Sequence, residues 1–124
     1  MPDDFSKKDA NTFVSFFKDK VKKFVDERGW KPYHTPINLI QAMTIELAEL
    51  SEHFLFKELT QKDIRDNKEL FNEIKEELAD VFIYLISFIN TLDIDLTSSF
   101  NKKMTKNSKK YSVDEFNNGK YYKK

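Results

Sequence analysis

Apolar side chains recur along this chain at steps of three and four residues, and no segment alternates apolar with polar in the manner of a strand. Phe13, Phe16, Phe17, Val21, Phe24 and Val25 form one such stripe, which predicts an amphipathic helix over about 9–28, stopped at Gly29 near the position where glycine ends helices. Two prolines in Trp30-Lys31-Pro32-Tyr33-His34-Thr35-Pro36 require a loop. Thr35 is a good N-cap with Pro36 at the first helical position, so a second helix is expected from there to about Phe56. Residues 57–68 are polar and read as a connector holding one helical turn. A third helix is predicted from about Lys68 to Leu92, and a fourth from Asp95 or Leu96 to Lys106. The Asn-, Lys- and Tyr-rich stretch after Tyr111 is expected to be poorly ordered. The expected fold is all-α, a four-helix-type bundle in a domain over 1–111 with a polar tail at 112–124.

Composition narrows the chemistry. A length of 124 residues makes one domain. With no Cys, a disulfide scaffold, a zinc ribbon and a cysteine nucleophile are excluded. Two Gly and three Pro are too few for a chain of many tight turns or for a glycine-rich phosphate loop. Twenty-one basic residues against 21 acidic ones give a net charge of +0, so no nucleic-acid partner is expected. The polar N-terminus (MPDDFSKKD) and the lack of a long apolar run predict a cytoplasmic protein with neither signal peptide nor membrane partner. Residues 78–89, by contrast, are apolar nearly all the way round, with Asp80 and Ser87 the plainly polar exceptions. A helix of that kind needs cover on every side, more than the remaining helices of so short a chain supply, and it predicts a homo-oligomer, dimer or tetramer.

Charge is unevenly placed. Residues 102–124 carry eight Lys and two acids, whereas the stretches from Pro32 to Phe56 and from Glu76 to Asn101 hold no Lys or Arg. Those two stretches hold a pair of similar tetrads, Glu46-Leu47-Ala48-Glu49 and Glu77-Leu78-Ala79-Asp80. Acids three residues apart lie side by side on one helix face, with Glu52 extending the first row and Glu73 and Glu76 the second. Like charges so spaced destabilise a bare helix, and Asp80 between apolar neighbours is expected to need a proton, a partner or a metal. A solvated acidic face, or pairing with tail lysines, is the plain structural reading. Four carboxylates converging from two antiparallel helices would instead make an all-oxygen cage suited to Mg²⁺ or Mn²⁺. A di-iron bundle would need Glu-x-x-His on two helices, and the residues three before His34 and His53 are Lys31 and Leu50.

These motifs resemble the all-α nucleoside triphosphate pyrophosphohydrolases, the MazG-like proteins, and most of all their dCTP pyrophosphatase branch. Beyond the tetrads, "ERGWKPYHTPINL", "ELADVFIYLISF" and "KKMTKNSKKY" resemble that branch in order, over roughly residues 13–111. The resemblance implies Mg²⁺-dependent hydrolysis of a nucleoside triphosphate, a pyrimidine dNTP such as dCTP favoured, to the monophosphate and pyrophosphate, in the service of nucleotide-pool cleaning. It implies Glu46, Glu49, Glu77 and Asp80 as metal ligands, with Glu49 the first choice of general base and Glu52 or Glu76 as alternatives. Lys106 and Asn107 match its closing motif as groups for the phosphates and the nucleoside, joined by Lys57, Lys103, Lys109 and Lys110 as further cations. Trp30 and Phe56 match positions lining its nucleoside pocket, Tyr84 lies one turn beyond Asp80, and His34 either orders its loop or touches substrate. The branch commonly carries Trp where Phe56 stands and His where Val21 stands, and both positions bear on the base. The competing expectation is a catalytically silent helical oligomerisation or adaptor module.

Overall fold

A computed structural model describes residues 5–124, so the first four residues of the polar N-terminal stretch lie outside it. It divides into two compact units, a larger one ending at Asp93 and a smaller one beginning at Ile94. The larger unit holds a short turn of 3-10 helix at Asp9–Asn11, then α1 (Val14–Glu27), a second such turn at Lys31–Tyr33, α2 (Pro36–Glu52), α3 (Gln61–Asp66) and α4 (Lys68–Thr91). The smaller unit holds α5 (Leu96–Lys110) and α6 (Val113–Phe116). No strand occurs among the described residues, so the all-α expectation holds.

Local chemistry explains most boundaries. The helix predicted over 9–28 is broken at Thr12 and Phe13, both extended. Asn11 Oδ1 accepts from the Lys8 amide at 2.7 Å and the Thr12 hydroxyl donates to the Lys8 carbonyl at 2.8 Å, so side chains take backbone groups that a continuous helix would use. At the other end, Gly29 turns left-handed (φ 64°), while the Trp30 amide donates to the Val25 carbonyl and the Gly29 amide to that of Asp26. This paired closure is the Schellman arrangement, and it fixes where Trp30 leaves the helix. Thr35 caps α2 through the Asn38 amide as expected. α2 itself stops at Glu52, four residues short of the predicted end, because residues 53–55 tighten to i→i−3 bonds before Phe56 turns left-handed (φ 57°). The connector forms α3 on a reciprocal Thr60–Asp63 capping box, and Asn67 and Asp95 cap α4 and α5.

α4 is the spine of the larger unit, with α1, α2 and α3 packed against it. Its Ile74, Ile86 and Ile89 are buried together with Leu39 of α2 and Val25 of α1, and Ile86 has no exposed surface (0%). The rest of the apolar run is not enclosed: Leu78, Phe82 and Ile83 stay exposed. Phe82 meets the Phe17 ring edge-on at 5.2 Å, and with Val21, Phe24 and Ile83 these rings line an open apolar cleft of about 260 Å³. Asp80, expected among apolar neighbours, is exposed, because its helical position turns it away from the buried isoleucines. Among the described residues no single helix is long and apolar enough to cross a membrane.

In the smaller unit α5 runs to Lys110, four residues beyond the predicted end. Where composition predicts little order beyond Tyr111, Phe116 lies between Tyr111 and Tyr122 with centroid separations of 5.5 and 4.8 Å. Glu115 meets the Tyr122 hydroxyl and the Lys124 ammonium, and the Lys124 amide donates to the Tyr111 hydroxyl. The last residues therefore fold back as part of the unit that α5 begins.

Candidate active site

Two hydrogen bonds and one electrostatic neighbourhood give the register of α2 against α4. His34, just before α2, lies 2.7 Å through Nδ1 from the Ser87 hydroxyl. Glu46 feels the charges of Asp80 and Glu77. His53, just past the end of α2, lies 2.9 Å through Nε2 from Glu77 Oε2. Numbers rise along α2 as they fall along α4, so the helices are antiparallel and the two tetrads face the same neighbourhood.

Partial burial pushes the Glu46 carboxyl above the usual carboxylate range, and the charges of Glu49 and Asp80, a hydrogen bond with Glu49 and the charge of Glu77 push it the same way. Glu49, Asp80 and Glu77 thus all bear on Glu46. Among the described residues Glu46, Glu49, Glu52 and Asp80 form no ion pair with Lys, Arg or His, while Glu77 is paired with His53. Nor do any three Asp, Glu or His side chains there close around one point at coordinating distance. The donor set is a gathering of hard carboxylate oxygens with mutual repulsion to be offset. Its chemistry fits a divalent ion such as Mg²⁺ or Mn²⁺, and Glu46, Glu49, Glu77 and Asp80 are the groups that could hold it.

One turn along both helices lies an aromatic cleft of about 280 Å³, lined by Trp30, Tyr33, His34, Asn38, Leu39, Ala42 and Tyr84. Ala42 sits four residues before Glu46 and Tyr84 four after Asp80, which makes this cleft the neighbour of the acids. Trp30 is held edge-on against Phe24 at 5.7 Å, and the Arg28 guanidinium covers the Phe24 ring at 3.7 Å. The His34 and Tyr84 rings stand 6.5 Å apart. Burial holds the His34 imidazole below its ordinary pKa. The same ring borders a second cleft of about 400 Å³ whose walls include Lys22, Lys31, Asn90 and Asp93.

The larger unit therefore groups seven of the predicted residues around two adjoining features: the four acids, then Trp30, His34 and Tyr84 in the cleft. Glu52 and Glu76 are exposed on the same two helices. Phe56 (99% exposed) and Lys57 line no part of the aromatic cleft. Lys103, Lys106, Asn107 and Lys110 belong to α5 in the smaller unit, and the Lys110 ammonium lies over the Tyr111 ring. Sequence reasoning missed Ser87, Asn38, Tyr33 and His53. For Ser87 the signal was its solitude in an apolar run. For His53 it was the four-residue step from Glu49.

Comparison with known proteins bears on the same segments. The sequence model of the MazG-like family matches residues 42–124, which include both tetrads. The chain is 36% identical over 93 residues to dCTP pyrophosphatase 1 of Mus musculus, covering 73% of this chain and 54% of that protein. To dCTP pyrophosphatase 1 of Homo sapiens it is 32% identical over 90 residues, covering 72% and 53%. It spans about half the length of the curated relatives it matches. A crystal structure of a pyrophosphatase from Archaeoglobus fulgidus superposes with a TM-score of 0.72 at 35% identity, covering 80% of this chain and 92% of that one. A fold, an acid quartet on antiparallel α2 and α4, and a match spanning both tetrads agree, and the chain belongs to the MazG-like family.

Proposed function

We propose that this protein hydrolyses a nucleoside triphosphate, a dNTP with a dCTP-like pyrimidine favoured, to the monophosphate and pyrophosphate. The observation that carries the reading is the acid quartet, electrostatically joined and without Lys or Arg partners among the described residues, one turn from an aromatic cleft. Relatives bearing the name dCTP pyrophosphatase supply the substrate class.

On this reading Glu46, Glu49, Glu77 and Asp80 hold Mg²⁺, or Mn²⁺ in its place. When bound, a divalent ion offsets the triphosphate charge, polarises the α-phosphoryl group and acidifies a water. Glu49 takes the proton from the attacking water, with Glu52 and Glu76 the neighbouring carboxylates that would serve instead. The new bond joins the water oxygen to the α-phosphorus. The bond that breaks links that phosphorus to the bridging oxygen of the β-phosphate, so pyrophosphate leaves with the electron pair. Trp30 and Tyr84 offer ring faces to the base, worth about 1–3 kcal/mol by analogy with stacked single strands. His34, kept neutral by burial and held by Ser87, and Asn38 supply polar atoms at the rim of that cleft. Lys57, Lys103, Lys106, Lys110 and Asn107 are the phosphate and nucleoside contacts in this reading, and Phe56 is a second aromatic surface. The exposed apolar side of α4 is covered by a second copy in a homo-oligomer, and the setting is the cytoplasm, in nucleotide-pool cleaning.

The test is to incubate the protein with each dNTP and Mg²⁺ and to resolve the products. Monophosphate and pyrophosphate are expected, and Glu49→Gln should abolish them with the fold retained. Orthophosphate as first product would place the attack at the γ-phosphate and refute the mechanism. A folded protein inert on every nucleotide would leave a silent oligomerisation module.

A further inference from the structure

We infer that His53 is a positioning residue, which ties down one oxygen of the Glu77 carboxylate and so limits the orientations in which its other oxygen can meet a cation. His53 Nε2 stands 2.9 Å from Glu77 Oε2, with both side chains 20% exposed, whereas its Nδ1 is 3.9 Å from Glu73, beyond a hydrogen bond. An ionised carboxylate only accepts, so Nε2 carries the proton and donates. One Glu77 oxygen is thereby committed, and the other makes no hydrogen bond among the described residues. It stays available on a carboxylate whose charge reaches Glu46.

The contact joins the chain just past α2 to the middle of α4, across 24 residues of sequence. His53 itself is anchored, since its amide donates to the carbonyls of Leu50 and Ser51. Glu77 is the one member of the quartet with a basic partner among the described residues. A free glutamate has three side-chain torsions to fix before it can bind a cation. A donor on one oxygen removes much of that freedom beforehand, which is how hydrogen-bonded neighbours strengthen ligating carboxylates.

The inference rests on the reading of Glu77 as a cation ligand, and the experiment separates the two. Mn²⁺ alone is titrated calorimetrically into the full chain and into His53→Leu, His53→Gln and His53→Asn, with melting temperatures recorded in chelator. The Leu variant keeps bulk without a donor and should lose about tenfold or more in Mn²⁺ affinity. The Gln amide reaches the Nε2 position and should restore most of it, whereas the shorter Asn should not. Wild-type Mn²⁺ affinity in the Leu variant, or Gln no better than Asn, would overturn the positioning role while leaving the proposed function intact. If Leu fails to fold, the Gln-against-Asn comparison decides alone. A folded wild type that takes up no Mn²⁺ would end the reading of the quartet and this role with it. Losses confined to the melting temperature, with affinity unchanged, would make the contact a structural tie and contradict the inference.

Discussion

Glu46 carries a conflict between stability and function that can be measured. Its carboxyl is raised by partial burial and by three neighbouring acids, so the folded chain holds that proton more tightly than the unfolded chain does. The resulting stabilisation is present below the unfolded pKa and is lost as pH rises through the higher folded one. At neutral pH the ionised Glu46 therefore opposes folding. Glu46→Gln should raise the melting temperature in chelator at neutral pH while removing Mn²⁺ binding and turnover, and a lowered melting temperature would contradict this. His34 runs the other way. Its depressed pKa means that the unfolded chain takes up the proton first, so its contribution is full above the unfolded pKa and disappears as pH falls through the folded value. Ser87, 4% exposed, is the partner that holds the ring. Ser87→Ala should cost about 1 kcal/mol in urea denaturation, and should raise KM for the nucleotide with little change in kcat.

Among the elements, α4 has the most to do. One side of it supplies Ile74, Ile86 and Ile89 to the core, and another carries Glu77 and Asp80. Ile86→Ala should cost about 2–5 kcal/mol by equilibrium unfolding, since nothing near a residue without exposed surface can readily collapse into the gap. A cost under 1 kcal/mol would mean that α4 is not the spine. The helices were legible because their signals are local: a three- and four-residue period, Thr35 before Pro36, and Gly29 where the chain must turn left-handed. The tetrads were legible for the same reason, as acids three apart in stretches without Lys or Arg. What escaped was decided by partners distant in sequence or by small competing bonds. His53 gains its meaning from Glu77, 24 residues away, and Ser87 from His34, 53 residues away. The break at Thr12 comes from side chains bonding to Lys8, which periodicity does not register. Asp80 looked buried because its sequence neighbours are apolar, but helical rotation sends those neighbours elsewhere.

For the molecule as a whole, the exposed apolar area on α1 and α4 is the outstanding demand. Phe24, Phe82 and Ile83 are all more than a third exposed around the cleft they share with Phe17 and Val21. If a second copy covers that side, Phe82→Asp should dissociate the assembly in sedimentation equilibrium while helicity is kept, and an already monomeric wild type would refute it. The account as a whole is tested most directly by turnover of a dNTP with Mg²⁺ in water enriched in heavy oxygen, followed by mass analysis of both products. Attack at the α-phosphorus predicts one heavy oxygen in the monophosphate and none in the pyrophosphate. Label in the pyrophosphate, release of orthophosphate, or no product from a folded protein would contradict it.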